Sequence, residues 1–162
     1  MTRKRNLTAA LAAGIAAVAI AGGVIATAAA ASSRSGNQLA GTWTVTVNRP
    51  APLPPLTSLQ VYTGTGSMVE SANDSASRSP QYASWQRVAG RGFAATGVFF
   101  RFDPQTGAFA GRQKINRTIT LSGDGQRFTF QGRATVYDAN GNVVATVPVS
   151  GSGQRLQVEA QP

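Results

Sequence analysis

The chain contains no cysteine and no histidine among its 162 residues, and only six acidic residues stand against fifteen basic ones. Each shortage removes chemistry. Without cysteine there is no disulfide framework, no thiolate nucleophile and no site for lipid attachment to a thiol. Without histidine there is no imidazole base, and without either there is no Cys/His zinc or iron–sulfur centre. Charged residues make up 13% of the chain, against an ordinary share of about 25%. Plentiful instead are glycine, with 18 residues, threonine and serine, a composition that suits strands and tight turns. The length fits one domain with enough chain for a real core.

The first 31 residues read as a secretory signal. Arg3-Lys4-Arg5 is followed by a stretch from Asn6 to Ser33 without a charge, in which Leu7, Leu11, Ile15, Val18, Ile20, Val24 and Ile25 stand among alanines. Ala26-Thr27-Ala28 and Ala28-Ala29-Ala30 supply small-x-small sites, so cleavage is expected between Ala28 and Ala31. The stretch is long enough to span a bilayer uncleaved, but Gly22-Gly23 interrupts it and alanine dominates it. The expectation is therefore a secreted, extracellular protein with no transmembrane segment after cleavage. Without Arg3, Lys4 and Arg5 the basic residues number twelve against six acidic, a net charge of +6, and eleven of the twelve are Arg.

Residues 32–38 form a polar leader, and 39–162 read as one domain. Leu39, Gly41, Trp43, Val45 and Val47 alternate with Thr42, Thr44, Thr46 and Asn48, the period of a half-buried strand. Four prolines between Arg49 and Pro55 make an extended loop. Leu59, Val61 and Thr63 resume the alternation, Gly64-Thr65-Gly66 turns the chain, Ser67 to Ser71 returns, and Ala72 to Pro80 reads as an exposed loop. Tyr82 to Val88 is a strand or a helical turn. Phe93–Asp103, Phe109–Leu121, Gln126–Asp138, Val143–Ser150 and Arg155–Ala160 then read as strands, joined at turns that include Asn140-Gly141 and Gly151-Ser152-Gly153. Short joints make neighbours antiparallel. The predicted fold is all-β, a single antiparallel up-and-down β-barrel of about eight strands, which closes to leave no edge. Its interior face carries Gln113 and Arg117 among the apolar side chains of Phe109 to Leu121, and Leu156 and Val158 are expected to extend the interior. Pro148 belongs at a bulge or beside a weakly paired edge.

Gly41-x-Trp43 at the first strand and Arg155 at the last resemble the lipocalin and avidin group of barrels, the calycins. That resemblance implies that Gly41, Trp43 and Arg155 close the barrel floor, the guanidinium stacked over the indole. Ser79-Pro80-Gln81-Tyr82-Ala83-Ser84-Trp85, Val98-Phe99-Phe100-Arg101-Phe102-Asp103 and Gly111-Arg112-Gln113-Lys114 are similar to a set of small exported bacterial proteins, many from actinobacteria, of lipocalin-like type and uncharacterised activity.

Catalysis finds little support in the residues. Asp103, Asp124 and Asp138 sit beside turns, where Asp caps its own backbone, and no Gly-x-Ser-x-Gly elbow occurs. No catalytic residue, metal site or cofactor is assigned. The expected ligand-binding residues are Tyr82, Trp85, Phe100 and Phe102, with Gln113 and Arg117 as inward polar groups that orient a carboxylate or carbonyl. The expected function is non-covalent binding of a small hydrophobic or amphipathic molecule. The alternatives are an envelope-associated module held by its basic surface to an anionic polymer, and a cavity cyclase or isomerase of the allene oxide cyclase or dirigent type. Arg87, Arg91, Arg101 and Arg133 are read as exposed, but dispersed cations without a recognition motif argue against a nucleic-acid partner.

Overall fold

The computed structural model describes residues 38–49 and 51–161; the expected signal segment and nearly all of the polar leader lie outside them. The described chain is a closed barrel of eight antiparallel strands in sequence order. They are β1 (Gly41–Asn48), β2 (Leu56–Tyr62), β3 (Ser67–Ala72), β4 (Gln81–Ala89), β5 (Gly92–Phe102), β6 (Phe109–Leu121), β7 (Arg127–Tyr137) and β8 (Val143–Arg155). Every sequential pair is a hairpin, and β1 pairs with β8 from Trp43↔Arg155 to Asn48↔Ser150 to complete the cylinder. No helix among the described residues is long and apolar enough to cross a membrane.

The lower half of the lumen is solid. Trp43, Val45, Tyr62, Met68, Phe93, Ile119, Leu121, Phe128 and Phe130 alternate inward from six strands and bury one another, with Leu39 beneath. The rings meet edge to face: Trp43 and Phe128 centroids lie 4.7 Å apart, and those of Trp85 and Phe93 lie 5.6 Å apart. Such offset contacts add to what burial alone contributes. Below them the floor is sealed by Arg155, whose guanidinium lies 4.2 Å from the centre of the Trp43 ring. The Trp43 Nε1–H donates to the Leu39 carbonyl at 3.0 Å, which ties the segment before β1 across the same end.

Four details depart from the pattern reading. Gly151-Ser152-Gly153 is not a turn; β8 runs unbroken through it. A Cβ on Gly153 would stand 2.4 Å from the Phe128 ring, and one on Gly151 2.2 Å from the Thr46 carbonyl oxygen. The glycines make room for the aromatic plug and the closing strand. Leu156 and Val158 lie past the end of β8 and are exposed instead of extending the interior. Phe109, separated from Gly111 by a register shift opposite Arg101 and Phe102, is also exposed. In β2 the buried face is Leu56, Ser58, Gln60 and Tyr62, so Leu59 and Val61 point outward. Pro148 falls where expected. β1 stops at Asn48 opposite Ser150, so among the described residues the part of β8 before Ser150 pairs with β7 alone.

Candidate functional site

The alternation that builds the apolar plug places polar side chains directly above it. Ser58, Gln60 and Tyr62 occupy successive inward positions of β2, and Glu70 of β3 is the cross-strand partner of Gln60. Gln60 Nε2 donates to Glu70 Oε2 at 2.8 Å, while its Oε1 accepts from the Tyr62 hydroxyl at 2.8 Å. From β6, on the far side of the lumen, Arg117 reaches across: its Nη2 donates to Gln60 Oε1 at 3.1 Å and to the Tyr62 oxygen at 2.8 Å. Pairing a buried polar group offsets the cost of removing it from water. This layer spans the barrel and separates the plug below from open space above.

A second charged group enters from the β3–β4 connection. Ser77 and Ser79 hydrogen-bond along the end of β5, accepting from the Phe102 N–H and donating to the Phe100 carbonyl. That extension turns Arg78 inward, where it is buried with its guanidinium 3.7 Å from the centre of the Phe99 ring. Arg78 Nη2 donates to Glu70 Oε1 at 2.9 Å, and its Nε lies 3.9 Å from Asp74 Oδ1. Arg49 completes the chain of charges with Nη1 3.7 Å from Asp74 Oδ2. The stretch from Ala72 to Pro80 is thus not wholly an exposed loop.

Above this layer lies a cavity of about 370 Å³ that opens at the end of the barrel opposite the floor. Its apolar walls include Val47, Leu56, Phe102, Ile115, Val147 and Val149, and its polar groups include Gln113, Arg117, Arg101, Arg78 and Glu70. That volume lies at the small end of the range of ligand sites, roughly 300–1,000 Å³. Burial pushes the Tyr62 phenol up to about 12, with the Arg117 charge opposing the rise and the Glu70 charge adding to it. The hydroxyl therefore stays protonated across the physiological range and serves as a fixed donor to Gln60.

Of the residues singled out from sequence, Phe102, Gln113 and Arg117 line this cavity together. The other three stand elsewhere. Tyr82 is on the outer wall and 65% exposed, and Phe100 is likewise outside. Trp85 is half-buried at the floor end, packed on Phe93 and donating from Nε1 to the Ser67 carbonyl at 3.1 Å. Gly41, Trp43 and Arg155 do meet at the floor. Gly41 has φ +139°, and a Cβ there would come within 2.3 Å of Arg155 Nη1, so a side chain would strain the backbone and push the guanidinium from its place. Arg101, read as a surface cation, instead lines the cavity.

Sequence reasoning missed Gln60, Glu70, Arg78 and Ser58. The available signal was Glu70, the one acidic residue within any of the eight strands. Asp103, Asp124 and Asp138 are turn caps, as read: Asp103 Oδ1 accepts from the Gln105 and Thr106 N–H groups, and Asp138 Oδ1 from those of Asn140 and Asn142. Compared with protein-family models, with curated proteins and with solved structures, the chain matches none.

Proposed function

We propose that this is an exported, lipocalin-like barrel that binds a small amphipathic carboxylate non-covalently in the cavity at its open end. The observation that carries the reading is the state of Arg117. Its side chain is 6% exposed inside the lumen, yet both of its hydrogen bonds run from Nη2 to neutral acceptors, Gln60 and Tyr62. Among the described residues the ion pairs of the cavity join Arg78 to Glu70 and Arg78 and Arg49 to Asp74, and none includes Arg117. A buried cation without an anion is costly. An acidic head group entering from the cavity supplies that anion and gains charge-assisted hydrogen bonds in return. Gln113, four residues earlier on the same inward face, offers a second polar contact. The apolar upper walls then take the ligand's tail, and burial of that tail supplies most of the affinity.

The test is a thermal-shift and native mass-spectrometry comparison of medium-chain carboxylic acids with the matched alcohols and methyl esters. The acids should bind and raise Tm where the alcohols and esters do not, and Arg117→Met should erase that preference while retaining the barrel's circular dichroism. Equal response to acid and alcohol, or no response to either, overturns the reading.

A further inference from the structure

The outside of the barrel has a charge distribution that the cavity does not explain. Glu70 is the one carboxylate in the eight strands, and it is buried inside; the outer wall therefore has none. The outward positions of β6 and β7 carry Arg112, Lys114, Arg127 and Arg133.

An apolar row lies beside these cations. Val61 pairs with Val69, Val69 with Tyr82 and Tyr82 with Val98, so four apolar side chains stand opposite one another across β2, β3, β4 and β5. The next residue in the row, the partner of Val98, is Lys114. Phe100, two residues beyond Val98, faces Arg112 in the same way. Adjacent strands are about 4.8 Å apart, which makes the apolar part of the row about 14 Å long. Tyr82 and Phe100 are 65% and 53% exposed and Val61 and Val69 45% and 42%, while Val98, where the row meets Lys114, is half-buried. Isolated exposed apolar residues are ordinary, whereas a continuous row of them signals contact with something.

We propose that this wall docks on an anionic lipid surface, with the Val61–Val69–Tyr82–Val98 row and Phe100 seated between head groups and acyl chains, and Lys114 and Arg112 on the acidic head groups at its edge. The complementarity selects this occupant. A soluble anionic polymer would engage the cations and leave the apolar row in water. A second copy would bring two walls of the same sign together. A bilayer interface satisfies both halves of the pattern at once. Arg112 is already held, its guanidinium 4.6 Å from the centre of the Tyr137 ring, which limits the freedom it loses on docking.

The absence of cysteine makes the test direct, because a single introduced thiol can carry an environment-sensitive fluorophore. Ser84→Cys lies on the outward face of β4 beside Tyr82, and Gln131→Cys lies on the outward face of β7, three strands away. With vesicles of equal parts phosphatidylcholine and phosphatidylglycerol, the label at 84 should shift to the blue and the label at 131 should not. The shift should vanish with pure phosphatidylcholine. Binding should weaken by about fivefold for each cation removed, and by more in R112E/K114E, whose fold is checked by circular dichroism. This position-specific readout separates docking through the wall from attachment through any other part of the chain. Equal shifts at both labels, binding indifferent to lipid charge, a shift that grows with protein concentration in the absence of vesicles, or retention on an anionic polymer without a shift at 84 each overturns the proposal.

Discussion

Arg155 and Trp43 are cross-strand partners on the seam that closes the barrel, and the guanidinium of one lies 4.2 Å from the centre of the indole of the other. Arg155 also donates from Nε to the Gly125 carbonyl at 2.8 Å, from Nη1 to that of Ala40 at 2.8 Å and from Nη2 to that of Gln38 at 2.7 Å. One side chain thus covers the plug, ties the β6–β7 turn to the chain before β1 and satisfies three carbonyls. Arg155→Ala leaves those carbonyls without a partner. The expected cost is about 3 kcal/mol, a fall in Tm of roughly 10 °C for a domain of this size. Arg155→Lys keeps the charge but loses the fork and should recover less than half of it. Thermal unfolding followed by circular dichroism measures both, and a change of under about 2 °C in the Ala variant would remove the floor from the account.

The glycines of β8 give a second stability test. Gly151→Ala and Gly153→Ala should each cost about 1–3 kcal/mol by overpacking the plug and the seam. Ser152→Ala, between them on the outward face, should stay within about 0.5 kcal/mol. Urea midpoints of the three variants settle the comparison. If all three behave alike, the closeness of the Phe128 ring to Gly153 is not a constraint.

Much of the barrel was legible because period-two alternation survives wherever one face is buried and the other wet. β6 was read at its true limits, Phe109–Leu121, and the floor motif could be read from Gly41, Trp43 and Arg155. The end of β8 misled because glycine is ambiguous: the same residue that permits a turn also permits close approach of a ring, and sequence alone does not separate the two. The cavity was half legible for a related reason. Gln113 and Arg117 stand out as polar residues in an apolar phase. In β2 the relation is inverted, with Ser58 and Gln60 inside and Leu59 and Val61 outside, so hydrophobicity points at the wrong face. The partners that explain why a glutamine is buried there, Glu70 on the next strand, Tyr62 on its own and Arg117 across the lumen, come together only in the closed barrel. Tyr82 and Phe100 were drawn toward the cavity because aromatic residues usually mark a pocket, yet strand parity sends both to the outer wall.

Tyr62 predicts an alkaline limb in stability. The phenol is pushed up to about 12 by burial, so as pH rises past its ordinary value near 10 the unfolded chain ionises while the barrel does not. Its contribution is fully present below about pH 10 and is lost as pH climbs toward 12. Tyr62→Phe should be less stable at neutral pH, having lost the bonds to Gln60 and Arg117, but its urea midpoint should fall less steeply between about pH 9 and pH 11 than that of the parent. Parallel slopes would contradict the shift.

The turn aspartates predict the opposite limb. Hydrogen bonds from Thr106 and Gln105 hold the Asp103 carboxyl below its usual range; those from the Ser122 hydroxyl and the Gln126 N–H do so for Asp124, and those from Asn142 for Asp138. Depressed carboxyls stabilise the fold above their unfolded value and lose that contribution as pH falls through the folded one. The barrel should therefore hold its stability from neutral pH down to about 4 and weaken below it. Asp138→Asn, whose turn also loses an acceptor of the Asn142 side chain, should be less stable at about pH 6 yet show a shallower acid slope. An unchanged slope would assign the acid limb to other groups.

Arg117 separates a binding role from a structural one. Its guanidinium is buried with hydrogen bonds to neutral partners and lies 5.1 Å from the centre of the Phe130 ring, with no carboxylate among the described residues in direct contact, so in the ligand-free barrel its desolvation cost is offset only in part. A methionine of similar length removes the charge and leaves the hydrogen bond from Tyr62 to Gln60 Oε1 in place. Removing a buried charge that lacks a counter-ion relieves its desolvation cost, and against that relief stand only the two hydrogen bonds to Gln60 and Tyr62 and the contact with the Phe130 ring. Arg117→Met should accordingly match or exceed the parent in Tm without ligand and fall behind it once a carboxylate is added. Such a crossing of the two curves is what a residue kept for binding at the expense of stability produces. If the variant is instead several degrees less stable in the absence of any ligand, Arg117 is a structural tie between β6 and β2, and the cavity loses its claim to an acidic guest.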